Sequence, residues 1–353
     1  MRSAATRRLR TVPALFVAAV LLTVLAPLWV MLTALADLVR GRPRLPTTRL
    51  LAFGWCWAWL ETAGVLAATW FWLTRRTQRL QQHYRLQRWW AARLMGALRA
   101  TTGIRIDAAE ADALRPGPAV LLCRHASLAD SLVSAWVVTS VARMRPRYVL
   151  KRELLADPCL DIVGNRLPNH FLDRAATDSD GELAALRALA AGMGGDDVAV
   201  IFPEGTRATP RKREHALARI AERDATRAER MVALRHVLPP RPAGTAALLD
   251  GCPHADVVFA WHVGFDGLDT FGGILRHLAR APRPVQFHTR RVPRADVPSG
   301  DGFTLWLDQQ WLRVDDDVHA LLHLDPPTSA PSATSAPAPP AAPAPTSISK
   351  GAD

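Results

Sequence analysis

Residues 12–36, VPALFVAAVLLTVLAPLWVMLTALA, run without a single charged side chain. A stretch of that length matches a hydrocarbon layer about 30 Å thick at about 1.5 Å per helical residue, and it is too long for the apolar core of a signal peptide. A second stretch, LLAFGWCWAWLETAGVLAATWFWL at 50–73, holds one charge, Glu61, and sets Trp55, Trp57, Trp59, Trp70 and Trp72 towards its two ends. Indole rings favour the headgroup layer, so the two stretches predict a helical membrane hairpin over residues 1–75. A carboxyl group in mid-span is costly in lipid unless it is protonated or paired, and a hairpin inserted at shallow depth relieves that cost. Arginines flank both stretches: Arg2, Arg7, Arg8 and Arg10 before the first, Arg75, Arg76, Arg79, Arg85 and Arg88 after the second, with Arg40, Arg42, Arg44 and Arg49 between them. The excess on the outer flanks puts both termini on the cytoplasmic side of a cell membrane.

Residues 76–100 follow as a basic segment in which Leu80, Tyr84, Leu86, Trp90, Leu94 and Leu98 recur at roughly helical spacing among arginines. That pattern fits an amphipathic helix on anionic lipid and equally a helix whose apolar face packs on the rest of the protein. At the other end, residues 325–353 are rich in Pro, Ala and Ser and hold too little apolar surface to fold, which predicts a disordered tail. With 353 residues, 49% of them hydrophobic, the chain can bury one full core between these appendages. A net charge of +12 calls for an anionic partner, which nucleic acid, a phospholipid surface or a phosphorylated substrate would each satisfy. Cys56, Cys123, Cys159 and Cys252 form no CxxC pair and no zinc-site spacing, and read as buried thiols.

Residues 101–324 therefore hold the chemistry. Short β-like runs at 104–106, 119–123, 148–150, 198–202 and 257–261 are separated in several places by helical stretches, notably 129–142 and 182–192. Alternation of this kind predicts an α/β fold, a central mixed sheet with flanking helices, in which loops at strand ends carry the ligands.

One such end is LLCRHASLAD, residues 121–130. On an unbroken helix His125 and Asp130 would stand about 140° apart around the axis and would not meet. AVLLC reads instead as a buried strand, and Ser127 followed by Asp130 is an N-cap signature, so the helix is expected to begin only at Ser127. His125 then sits in the strand-to-helix turn and Asp130 can reach back to it. Two readings fit: a His–Asp pair in which the carboxylate fixes the imidazole tautomer, or a capping box beside a turn histidine. The chain has no GxSxG elbow to supply a serine nucleophile.

A second strand end, VAVIFPEGTRATP at 198–210, places Glu204, Gly205, Thr206 and Arg207 after Pro203. Glycine lets backbone approach a ligand closely, and a guanidinium offers a planar fork for phosphate. With H-x4-D upstream, the two motifs in order, behind an apolar hairpin, resemble the glycerolipid acyltransferase family of 1-acyl-glycerol-3-phosphate acyltransferases. YVLKREL at 148–154 looks like that family's lysine-bearing segment, and GNRLPNHFLDR at 164–174 is similar to the block that closes in an acceptor-binding arginine. The basic run RKREHALARIAERDATRAERMVALRHVLPPRPAG at 211–244 resembles the branch of lysocardiolipin and lysophosphatidate acyltransferases. By spacing alone, its charged residues from 211 to 235 would read as one solvated helix. There are departures: Arg124 stands where the family commonly has asparagine, Ala208 where it often has serine, and the late strand ADVVFAWHVGF lacks the usual proline.

The resemblance implies a membrane-bound O-acyltransferase that moves a fatty acyl group from an acyl thioester to the free hydroxyl of a lysophospholipid, with 1-acyl-glycerol-3-phosphate giving phosphatidic acid as the first expectation. It implies His125 and Asp130 as the catalytic pair, Glu204, Gly205, Thr206, Arg207, Lys151 and Arg174 as substrate-binding residues, acyl-CoA or acyl carrier protein as donor, and neither metal nor cofactor. His254 and His262 near Cys252 are accordingly not expected to hold a metal. The alternatives are another acceptor, such as lysocardiolipin or lysophosphatidylinositol, and a basic membrane-anchored binding protein without catalysis. The second predicts a continuous stripe of positive charge, whereas the arginines here are spread over hairpin flanks, motif loops and an acid-interleaved helix.

Overall fold

The structure, a computed structural model, describes residues 4–173, 179–265, 267–280 and 284–323; the expected tail at 325–353 lies outside them. Seven strands form one sheet among the described residues: β1 Ile106–Asp107, β2 Ala119–Cys123, β3 Arg145–Lys151, β4 His170–Leu172, β5 Asp197–Ile201, β6 Asp256–Val263 and β7 Val285–Val292. Their order is β1-β7-β6-β2-β5-β3-β4, with every pair parallel except β6–β7. The mixed sheet with flanking helices expected from the sequence is present.

The helices are α1 Ala4–Val24, α2 Ala26–Val39, α3 Pro46–Leu73, α4 Leu80–Thr102, α5 Asp130–Trp136, α6 Pro158–Val163, α7 Ser179–Ala190, α8 Pro210–Ala221, α9 Ala225–Met231, α10 Pro242–Gly251, α11 Phe271–Leu278 and α12 Gly302–His323. The strand side chains alternate between two cores. Leu121, Cys123, Val200, Val258 and Ala260 face a cluster with Leu98 of α4 and Val133 of α5. Val120, Leu122, Ala199, Ile201 and Phe259 face the opposite one with Leu186 of α7, Leu248 of α10 and Trp311 of α12. A sheet buried on both faces explains why AVLLC is a continuous apolar run with no polar alternation. Because β3, β5, β2 and β6 are mutually parallel in register, their C-terminal ends open on one edge of the sheet.

The N-terminal region departs from a plain hairpin. The first apolar stretch is broken into α1 and α2, which bend by 71°. Pro27 lacks the N–H that would continue the ladder to Thr23, and Trp29 Nε1 donates to the Leu22 carbonyl across the bend at 2.8 Å. One helix, α3, is long and apolar enough to cross a membrane, or two spans pass that test if the bent pair counts as one. Yet α3 runs along the rest of the protein: Arg49 near its start donates from Nε to the Thr101 carbonyl at the end of α4 at 3.0 Å, and Ala68 near its end accepts from Arg166 at 2.8 Å. Gly64 lets α3 approach α6, since a Cβ there would fall 2.6 Å from Cys159 Sγ. Glu61 is fully buried in this contact and accepts from Trp90 Nε1 at 2.8 Å, so the mid-segment carboxyl group faces protein. Arg7 and Arg8 of α1 grip Asp161 of α6 at 2.7 and 3.1 Å.

Three further differences have local causes. The apolar stripe of α4, with Leu86, Leu94 and Leu98, is covered by protein, which selects the packed alternative over the lipid one for that face. The basic run expected as one helix is split at residues 222–224, where the Asp224 side chain caps α9 by accepting from Arg227 N at 2.9 Å. Strand β7, VQFHTRRV, was not expected because it carries Gln286, His288, Arg290 and Arg291 and its apolar content is low.

Trp311 closes the second core: it is fully buried, meets Phe259 at a tilt with 6.3 Å between ring centroids, and donates from Nε1 to the Leu238 carbonyl at 3.0 Å. Replacing Trp311 with Ala removes this packing and that hydrogen bond, and is expected to cost about 3–5 kcal/mol. Chemical unfolding of the detergent-solubilised chain checks it; a loss below about 1 kcal/mol would contradict the packing described.

Candidate active site

The edge where the parallel strands end gathers residues that are far apart in the chain. After β2 the backbone turns through residues 124–129, and α5 starts at Asp130, three residues later than the cap signature suggested. The delay arises because the Ser127 hydroxyl accepts from Ala129 N at 3.1 Å while the Asp130 carboxylate turns back into the loop. There Asp130 Oδ2 accepts from His125 Nδ1 at 2.8 Å, Ala126 N at 2.7 Å and Ser127 N at 2.9 Å. Its Oδ1 accepts from the Ser127 hydroxyl and from His262 Nε2, the latter at 2.9 Å. The two readings of His125 and Asp130 therefore coexist in one carboxylate, which both orders the turn and orients the imidazole.

With Nδ1–H given to Asp130, His125 keeps its lone pair on Nε2. Lys151, at the end of β3, places Nζ 3.5 Å from that nitrogen. Burial lowers the His125 pKa below 6.5, the bonds and charge of Asp130 push it back up, and Lys151 and Arg207 lower it further. The result is a neutral imidazole at neutral pH, able to take a proton. Burial would raise the Asp130 pKa, but His262 and His125 overcome it and hold the carboxyl well below the usual range, so it stays ionised.

The second motif forms the facing wall. Glu204, grouped from sequence with the substrate contacts, is turned inward instead: Oε1 accepts from His125 N at 2.7 Å and Oε2 from Leu238 N at 2.8 Å. It pins the His125 loop to the segment before α10. Gly205 adopts φ +71°, where a side chain would be strained, and a Cβ would come within 3.3 Å of the Arg241 guanidinium. Ala208 N donates to the His125 carbonyl at 2.8 Å, and Thr206 Oγ1 accepts from Lys212 Nζ at 3.2 Å. Arg207 lies close enough to His125 to lower its proton affinity. Arg174 lies outside the described residues. Arg124 donates from Nη1 to the His262 carbonyl at 2.5 Å, tying the β2 exit to the end of β6.

His262 is the residue that sequence reasoning passed over. It was weighed only with Cys252 and His254, its neighbours in sequence, whereas β6 lies parallel to β2 with Cys123 opposite Ala260, which sets His262 beside the turn that carries His125. No group of three or more His, Cys, Asp or Glu side chains suited to a metal occurs among the described residues.

A cavity of about 360 Å³ adjoins this edge, lined mainly by apolar side chains. Leu128, Ala129 and Leu132 from the loop and α5, Leu150 just before Lys151, Phe53 and Trp57 from α3, and Leu94 from α4 contribute to its wall.

Burial pushes the Glu204 carboxyl up to about 8, against the two N–H bonds and the Arg124 charge that pull it down. Since this lies above the ordinary 4.5, the folded chain keeps the proton longer than the unfolded one; the stability this contributes is complete below pH 4.5 and is lost as pH rises towards 8. Glu204→Gln should abolish that part of the pH dependence and, by setting an amide NH2 against a backbone N–H, cost about 1–3 kcal/mol. Unfolding midpoints at pH 5 and pH 8 decide it; an unchanged pH slope in the variant would contradict the assignment.

Residues 105–233 match the family model described as Acyltransferase. No curated protein matches the chain. Among solved structures the chain is similar to the 1-acyl-sn-glycerophosphate (LPA) acyltransferase, PlsC, from Thermotoga maritima, at 13% identity and a TM-score of 0.42, covering 90% of this chain and 98% of that one. The matched region contains the His125–Asp130 turn, Lys151 and the 204–207 loop, the same motifs from which the resemblance was read, so residues 105–233 are similar to the acyltransferase family.

Proposed function

We propose that the chain transfers a fatty acyl group from an acyl thioester to the free hydroxyl of a lysophospholipid at a membrane surface, with 1-acyl-glycerol-3-phosphate as acceptor and phosphatidic acid as product. The observation that carries this reading is the His125 Nδ1–Asp130 Oδ2 contact of 2.8 Å, which leaves Nε2 as a base. In the reaction, Nε2 takes the hydroxyl proton as the oxygen attacks the thioester carbonyl. The new C–O bond forms, the C–S bond breaks, and the leaving thiolate recovers the proton from the imidazolium. No enzyme nucleophile is needed. Lys151 and Arg207 supply positive charge beside the base, suited to the acceptor phosphate, with Arg174 added from the family resemblance. The apolar cavity suits the acyl chain, and acyl-CoA or acyl carrier protein the donor role.

Membrane attachment is supported by exposed apolar side chains on the N-terminal helices, among them Phe16, Leu21, Leu28, Met31 and Leu35 of α1 and α2 and Leu66, Trp70 and Trp72 of α3. Because α3 is fastened to the catalytic domain near both ends, shallow insertion fits better than a perpendicular span, with the domain on the cytoplasmic face. The acyl chain then moves from the bilayer to the cavity without crossing water.

Membranes containing the chain are expected to convert labelled acyl-CoA and lysophosphatidic acid to phosphatidic acid. The rate should fall as pH drops through the lowered pKa of His125, giving an acid limb below pH 6.5. Arg207→Ala should raise KM for the acceptor more than it lowers kcat. Absence of product with lysophosphatidic acid, followed by activity on another lysolipid in the same assay, would replace the acceptor; activity that survives His125→Ala would sink the mechanism.

The cavity gives a separate expectation. Ala135 lines it, and Ala135→Phe should shift donor preference towards shorter acyl chains, read from rates with a chain-length series. An unchanged preference would remove the cavity from the acyl-binding role.

A further inference from the structure

Asp130 serves two imidazoles, and the proposed reaction uses only one. His262, at the end of β6, is buried and gives Nε2–H to Asp130 Oδ1 at 2.9 Å, while His125 holds Oδ2 at 2.8 Å. Ring and backbone are both held. Phe265 meets it edge-on at 5.4 Å between centroids, Arg124 holds its carbonyl at 2.5 Å, and β7 pairs with its backbone through Phe287. Its other nitrogen, Nδ1, is buried without a hydrogen-bond partner among the described residues. The contact with Asp130 Oδ1 needs a proton on Nε2, so the geometry selects an imidazole that carries its Nε2–H.

We propose that His262 is a positioning residue for the acyl-transfer base: by holding Asp130 Oδ1 it stops the carboxylate from rotating and presents Oδ2 to His125 Nδ1. This rests on the reading of His125 as the base. Two backbone N–H groups and Nδ1 of His125 share Oδ2, and all of these belong to the loop that the carboxylate itself orders. The His262 bond is the one that comes from a different strand, so it references the loop to the rigid sheet. His262 also draws charge from the carboxylate, which tempers how strongly Asp130 holds an imidazolium. The other ionisable groups around the pair are Cys123 on β2, Arg124 in the turn, Lys151 on β3, and Glu204 and Arg207 in the loop after β5.

The test compares the full chain with His262→Gln, which can return an N–H to Oδ1, and His262→Phe, which keeps the ring's shape without a donor. Acyl transfer to lysophosphatidic acid is followed across pH, and the His125 titration is followed by nitrogen NMR in detergent, which needs no turnover. Phe should lower kcat by about tenfold to a hundredfold with KM little changed. It should also raise the His125 midpoint by about half a unit, because the carboxylate charge is then shared among fewer donors. Gln should restore most of both. A purely space-filling role predicts the reverse order, so Gln performing no better than Phe, or Phe matching the parent in rate and midpoint, overturns the proposal. Should neither variant fold, the parent spectrum still decides: a proton on His262 Nε2 supports it, and an Nε2 that carries none refutes it. A parent inactive on every lysolipid would refute the acyl-transfer reading, while the NMR midpoints would still report the coupling through Asp130.

Discussion

The buried carboxylate of Asp130 is the constraint on which the site depends. Five donors converge on its two oxygens: two backbone N–H groups, a hydroxyl and two imidazoles. A charge removed from water survives only when its hydrogen-bonding capacity is met, and here it is met by the loop it organises and by the neighbouring strand. Glu204 repeats the device on the opposite wall, joining the His125 backbone to Leu238, whose carbonyl in turn receives Trp311 from the far core. His125 is therefore held by a chain of contacts that reaches from the loop into both packed layers of the fold.

Much of this could be read in the sequence because the signals were local. The apolar run at 119–123 specified the central strand to the residue, and the His–Asp spacing made sense only if a strand gave way to a helix between the two. What escaped needed tertiary information. His262 stands 137 positions after His125, and no spacing rule joins them; the parallel register of β2 and β6 does. β7 carries polar and cationic side chains at half-buried positions, so its composition hides it. β4 is three residues long, shorter than a periodicity can reveal. The break at Pro27 was legible in principle, but an uninterrupted apolar composition outweighed one proline.

Glu61 shows how the fold resolves a conflict that the sequence poses. A carboxyl group in the middle of an apolar helix is at odds with a simple span. In the structure that face of α3 lies against α4 and α6, with Trp90 as its donor, while the exposed apolar side chains gather elsewhere on the N-terminal helices. The same helix also walls the cavity near the His125 loop, so one element both carries the proposed membrane surface and shapes the proposed acyl site.

The central claim is that His125 and Asp130 act as one unit. Its most direct measurement is a double-mutant cycle on acyl transfer, with His125→Ala, Asp130→Ala and the pair together. Groups that act through one another lose their contribution once, so the account predicts that the double variant is no slower than His125→Ala alone. Losses that multiply, each substitution reducing the rate independently of the other, would contradict it.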